Sequence, residues 1–268
     1  MTESPYLPTS PSESSHAEFP PASPPEHPAT PSQVTVEFPR LRPYVTYTIL
    51  GFTILVYVLQ LISQYALGYD LPGIMGMKIN EYIATGQYWR LLTPVLLHGS
   101  LLHIGFNMYA LYAIGPSIEQ YFGHGRFLIL YLLSGFAGNV ISLLFSAAPS
   151  LGSSTAIFGL FGAQGIFIYL NRQLYGQRAR SILTRIIYLA VINLIIGLSP
   201  GIDNWGHLGG LIGGVAFTWF GGPKLKLTGL YPHLALDDER RTSEVLNATF
   251  LVGTLFALLA AGKLLLGP

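Results

Sequence analysis

The chain has no cysteine and little charge: only 10% of its 268 residues are Asp, Glu, Lys or Arg. The first absence excludes disulfides, thiolate metal ligands and a cysteine nucleophile, and leaves the redox compartment open. The second is a difficulty for a water-soluble fold, because soluble domains carry about 25% charged residues. A chain that is 50% hydrophobic cannot cover its surface with so few charges. Lipid, rather than water, is expected to face most of it. The net charge of +1 provides no basic surface for nucleic acid. Histidines at metal-ligand spacing with acidic partners are also missing; His16, His27, His124 and His233 read as solvated loop residues. No metal and no cofactor is therefore expected.

Basic residues are also absent from the first stretch, where nothing precedes Arg40. Residues 1–42 are rich in Pro, Ser and Glu and cannot bury enough apolar surface to offset the entropy of ordering. They read as a disordered tail. The tail lacks the basic start and apolar core of a signal peptide, and the scarcity of Arg argues against an organellar transit peptide.

What the rest contains is apolar runs, at 44–66, 101–121, 127–147, 154–171, 182–199, 205–221 and 247–266. A helix needs roughly 20 residues to cross the hydrocarbon core. The first, third and seventh runs are clear spans. The fifth includes Arg185, placed at its inner end. The sixth is short and glycine-rich, as suits a buried helix in close backbone contact with its neighbours. The interval 67–100, with Trp89-Arg90 and the apolar Leu91 to Leu97, reads as a structured loop partly embedded in the outer leaflet. The resulting organisation is a tail (1–42), a six-helix core (43–222), a cytoplasmic linker (223–246) and a seventh transmembrane helix (247–268).

Lys and Arg orient these spans. With the N-terminus cytoplasmic, 11 of the 14 fall on the inside, and only Lys78, Arg90 and Lys263 fall outside. The second, fourth and sixth runs then all begin at the outer face. Their starts hold the clustered polar residues: His98, His103 and Asn107; Ser153, Ser154 and Thr155; Asn204 and His207. Polar groups at membrane depth are costly and mark function. A hydroxyl beside an imidazole is the minimum for an activated nucleophile. His103 and Asn107, four apart on one helical face, can donate to a developing oxyanion. No carboxylate lies among them; Asp203, in a loop, is the nearest, so a Ser–His dyad is expected rather than a triad. Ser153 reads as helix–helix glue, His98 as either loop scaffold or site, and Trp89 with Arg90 as an interfacial anchor. Gly159, Gly162, Gly206, Gly210 and Gly214 read as packing residues.

These segments resemble those of the rhomboid family. His98-Gly-Ser-Leu-Leu-His103-Ile-Gly-Phe-Asn107 is similar to its H-x4-H-x3-N motif, Gly152-Ser-Ser154-Thr-Ala-Ile-Phe158-Gly159 to its nucleophile segment G-x-S-G-A-x-F-G, and His207-Leu-Gly-Gly210-Leu-Ile-Gly-Gly214 to its sixth-helix motif. Trp89-Arg90 matches its first-loop pair. The resemblance covers about residues 43–222, with the motifs in order. It implies an all-α polytopic membrane protein, a rhomboid-like six-helix bundle plus one C-terminal transmembrane helix. It further implies a hydrolase, an intramembrane serine endopeptidase with catalytic Ser154 and His207 and an oxyanion hole from His103, Asn107 and the Ser154 N–H. Its substrates would be single-span membrane proteins cut near the outer end of their helix, admitted past a mobile fifth helix or a loop cap. Thr155 stands where the family usually has Gly. The alternative within the family is a catalytically inactive rhomboid-like protein that binds membrane clients, although such relatives typically lose the Ser or His that this chain keeps. A small transporter would call for inverted repeats and charged midplane residues, which the chain lacks. The scarcity of targeting signals points to a bacterial plasma membrane.

The charge asymmetry predicts a cytoplasmic N-terminus and an external C-terminus. Reporter fusions after Arg180 should read cytoplasmic and fusions after Pro268 external; the reverse pattern at both sites would invert the placement of the polar cluster.

Overall fold

The computed structural model describes residues 35–37, 41–231 and 233–266. Most of the segment expected to be a disordered tail, 1–42, lies outside the described residues. Helix α1 (Tyr44–Leu67) is followed by two short helices, α2 (Leu71–Gly76) and α3 (Asn80–Ala84), and by two 3-10 turns, Tyr88–Leu91 and Thr93–Leu96. Helices α4 (Leu101–Phe122), α5 (His124–Phe145) and α6 (Ser154–Leu170) come next. The single turn α7 (Arg172–Tyr175) precedes α8 (Arg178–Ile196) and α9 (Asn204–Gly221). Strand β1 (Thr35–Glu37) runs parallel to β3 (His233–Asp238), which pairs antiparallel with β2 (Leu225–Leu230). Helix α10 (Thr242–Leu266) closes the chain.

Every expected apolar run is a helix, and the fold is an all-α polytopic bundle. Four helices, α1, α5, α8 and α10, are long and apolar enough to cross a membrane by themselves. In α1, only 22% of the most apolar window is buried despite a mean hydropathy of 2.0, so hydrocarbon must cover the rest. The other three long helices, α4, α6 and α9, carry the polar cluster and are shorter or less apolar. They are also the ones whose polar faces the bundle encloses.

The helix ends have identifiable partners. The buried Glu119 carboxylate of α4 caps α1, accepting from Val45 N (2.9 Å), Thr46 N (2.7 Å) and the Thr46 hydroxyl (2.6 Å). Ser100 caps α4 by accepting from His103 N at 3.1 Å. Such caps satisfy the orphan donors of a helix start. Two features differ from the sequence-based expectation. The segment expected as a cytoplasmic linker, 223–246, contains the β2–β3 hairpin, which the sequence reading did not foresee. Helix α10 begins at Thr242 instead of 247, because its first turn is polar and is held by Glu244 accepting from Arg241 N at 2.9 Å. A hydrophobic run registers only the apolar part of such a helix.

Helix α9 lies between α5 and α6 at backbone contact distance. A Cβ on Gly210 would fall 1.9 Å from Thr155 O, and one on Gly214 would fall 2.1 Å from Gly159 O. On the other side, a Cβ on Gly209 would fall 2.5 Å from the Ile141 Cβ, and one on Gly138 of α5 2.6 Å from Gly206 O. Small residues permit this approach, which maximises dispersion where no hydrophobic effect drives association.

Gly210→Ala should therefore destabilise the bundle by about 1–3 kcal/mol through overpacking, although Ala is the better helix former. Gly165→Ala, whose Cβ would meet only Ile186 at an ordinary 3.7 Å, should be neutral or slightly stabilising. Thermal unfolding in detergent compares the two; equal melting temperatures would contradict the close α6–α9 contact.

Candidate active site

The site lies where α4, α6 and α9 begin, at one end of the bundle. Gly152 enters α6 with a φ of +134°, which a side chain would strain, and its N–H donates to Pro94 O at 2.9 Å. A Cβ there would also fall 2.7 Å from His103 Nε2 and 3.5 Å from Ser154 Oγ. The bare glycine thus lets His103 approach the chain just before the serine. Ser154 is the first residue of α6.

His207 is one turn into α9, a helix capped by Asp203, whose carboxylate accepts from Gly206 N at 3.0 Å and from the Ser142 hydroxyl of α5. Its Nε2 lies 2.9 Å from Ser154 Oγ. Phe158, one turn beyond Ser154, stacks on the imidazole at 4.3 Å between centroids and 13° between planes. Among the described residues, no protein group bonds His207 Nδ1. The Asp203 carboxylate is engaged in capping α9. Asn107 is buried one turn along α4 from His103, on the same face.

The neighbouring pair is distinct. Ser153 is fully buried, and its hydroxyl meets His98 Nε2 at 3.2 Å. His98 is itself held by Gln60 of α1, whose amide oxygen accepts from His98 N at 3.0 Å and whose NH2 donates to Asp70 at 2.7 Å. Burial first, and His103 beside it second, push the His98 imidazole down to about 3, so it stays neutral. Of the two adjacent serines, Ser154 faces His207 and Ser153 faces His98. His98 and His103 stack edge to face at 5.0 Å between ring centroids. Between the scaffold and site readings of His98, its contacts favour scaffold.

Arg90 differs from the expected interfacial anchor. It is buried, and its guanidinium donates to Ile74 O, Met77 O and Gln87 Oε1, each at 2.8 Å. Three donors of its fixed fork thus tie together the turns of the 68–100 loop. Trp89 remains half-exposed, its indole donating to Met75 O at 3.0 Å. Thr155 packs its side chain at the junction of three helices: a Cβ on Gly138 of α5 or on Gly206 of α9 would fall 3.0 Å from its Cγ2.

Two contributors escaped the sequence reading. Phe158 was visible only as a motif letter, though its spacing of four from Ser154 places it on the same helix face. The Asp203–Ser142 contact joins residues 61 apart, which no local pattern reveals. A cavity of about 330 Å³ adjoins the site, lined in part by His103, Gly99, Leu151, Ile202 and Asp203. Among the described residues there is no group of acidic, His or Cys side chains able to hold a metal ion.

Comparison with known proteins agrees with this architecture. The Rhomboid domain model matches residues 85–224. The chain is 38% identical over 216 residues to the rhomboid protease GluP of Bacillus subtilis, covering 80% of this chain and 40% of that protein. It is 30% identical over 206 residues to the chloroplastic RHOMBOID-like protein 9 of Arabidopsis thaliana, covering 74% of this chain and 47% of that one. A third relative, RHOMBOID-like protein 4 of the same plant, is 39% identical over 140 residues, covering 52% of this chain and 35% of that protein. The chain thus spans less than half the length of each of these relatives. On the family model and the apolar helices together, the chain is an integral membrane protein and belongs to the rhomboid family.

Proposed function

We propose that the chain is an intramembrane serine endopeptidase working through a Ser154–His207 dyad. The observation that carries this reading is the 2.9 Å contact between His207 Nε2 and Ser154 Oγ at the start of two packed helices. In the reaction, His207 Nε2 takes the hydroxyl proton as Ser154 Oγ bonds to the substrate carbonyl carbon. The same proton passes to the leaving amine as the C–N bond breaks. Water, activated by His207, then releases the acyl group and restores the serine. Phe158 holds the imidazole plane, and the lack of a partner on Nδ1 among the described residues supports a dyad. His103, Asn107 and the Ser154 N–H supply the oxyanion donors; helix starts have unpaired N–H groups and a favourable dipole for negative charge.

A transmembrane segment is the substrate class that fits, cut near the outer end of its helix. The contacts of α8 suggest its route: its buried residues are Ala179, Ile186 and Ala190, and nothing beyond Ala190 in this helix is buried. The end of α8 nearest the site, which buries none of its side chains and is tied to α9 through Asn204 donating to Leu194 O at 3.1 Å, is the natural gate. With the N-terminus cytoplasmic, the site opens to the exterior of a bacterial plasma membrane.

Reconstituted protein and a single-span reporter substrate test this. Ser154→Ala and His207→Ala should each abolish cleavage. Asn107→Ala should slow it by roughly 10²–10³, the usual cost of one oxyanion donor, or by less where His103 shares the load. Ser153→Ala should retain most turnover while losing about 1–3 kcal/mol of stability, because His98 Nε2 loses its partner. Cleavage that persists in Ser154→Ala would refute the assignment.

A further inference from the structure

Lys78 is a fully buried charged group that the proposed chemistry leaves unused. It lies between α2 and α3, in the loop that precedes the site, and its side chain is completely buried. Its ammonium donates to three carbonyls in one short stretch: Ser142 O at 3.3 Å, Ser146 O at 2.7 Å and Ala148 O at 3.1 Å. Two of these belong to the last turn and cap of α5, where unpaired carbonyls and the helix dipole favour a cation. The third is in the loop that leads to Ser154. Asn80, two residues on, adds a bond to Ser146 O at 3.0 Å.

The backbone continues the same contact. Lys78 N donates to Ser150 O at 2.9 Å, and Ser150 N donates back to Lys78 O at 3.1 Å. Two residues later, Gly152 N donates to Pro94 O of the same preceding loop. The segment 146–152 therefore takes its shape from outside itself. It has no helix or strand of its own, and it ends on the glycine beside His103 and Ser154.

We propose that Lys78 is a positioning residue, whose charge holds the 146–152 segment so that Ser154 and the start of α6 keep their reactive geometry. This rests on the proteolytic reading above. A neutral amine would donate fewer hydrogens to the three carbonyls and exert no charge on the end of α5, so the segment would loosen while the helices stayed packed.

A pH dependence follows. Burial pushes the Lys78 amine down to about 8, against the opposing pull of Asp203 and Glu81. Asp203 caps α9, and Glu81 lies in α3; these are the two charged groups that act on it. The folded value lies below the unfolded value of 10.5. Between them the unfolded chain binds more protons, so this group makes stability rise, not fall, with pH. Activity should move the opposite way, declining as Lys78 loses its proton. A residue that merely supported the fold would shift both together.

The test uses full-length protein in detergent, a fluorophosphonate probe for the serine and pH from 6 to about 10. Wild-type labelling should fall with a midpoint near 8 while its melting temperature does not fall over that step. Lys78→Met should label about ten- to a hundredfold more slowly at pH 7, the scale of a small misplacement, and should lack the alkaline step. Lys78→Gln, which keeps a donor but no charge, should also lack the step and serves if Lys78→Met does not fold. Hydrogen exchange at the Ser150 and Gly152 amides should speed up in both variants. An unchanged alkaline step in either folded variant, or unchanged exchange at those amides, overturns the proposal. Wild type that takes up no probe refutes the protease reading instead, and the exchange result still decides the role of Lys78.

Discussion

The contact on which the rest depends is the approach of α9 to α6, backbone against backbone. Gly210 faces Thr155 O and Gly214 faces Gly159 O at distances that leave no room for a side chain. Only at that separation can an imidazole one turn into α9 reach a hydroxyl at the first residue of α6. The Ser154–His207 contact is thus a consequence of glycine placement as much as of the two residues themselves. It also explains how α9, with its buried glycines, sits between α5 and α6. A larger residue at those positions would separate the helices before it touched the pair.

Around this contact, several buried charged and amide groups find partners within the protein, as a lipid environment favours, while Thr155 Oγ1, Ser134 Oγ and His207 Nδ1 have none among the described residues. Glu119 caps α1, Asp203 caps α9, Arg90 satisfies three acceptors in the 68–100 loop, and Gln60 fixes His98. Glu119 and Gln60 couple elements distant in sequence, as Asp203 does through the Ser142 hydroxyl. The loop between α1 and α4 holds only short helical segments but a dense hydrogen-bond network, and through Lys78 and Pro94 it sets the path of the chain into Ser154. The site is densely hydrogen-bonded on that side and few side chains are buried along α8, two properties that suit the proposed reaction, in which a serine is held and a substrate admitted.

Much of this could be read from the sequence because membrane helices announce themselves by length and apolarity, and because polar residues in such runs are few. His103, Asn107, Ser154 and His207 stood out against Leu, Ile and Phe, and the glycines at spacing of four pointed to a tight helix pair. Arg90 was harder, since an arginine beside a tryptophan in a loop looks interfacial until its three carbonyl and amide acceptors are known. The β2–β3 hairpin was missed because its strands are short and mixed in character, and their pairing involves no membrane signal. Lys78 was invisible in kind: a lone lysine in a loop reads as solvated, and only the fold brings the end of α5 over it.

The central claim is that Ser154, and not its neighbour, is the nucleophile that His207 activates. The most direct measurement is peptide mapping, by mass spectrometry, of protein labelled with a fluorophosphonate. The account predicts a single adduct on Ser154, absent after His207→Ala. An adduct on Ser153, or labelling of Ser154 that is indifferent to His207, would contradict it.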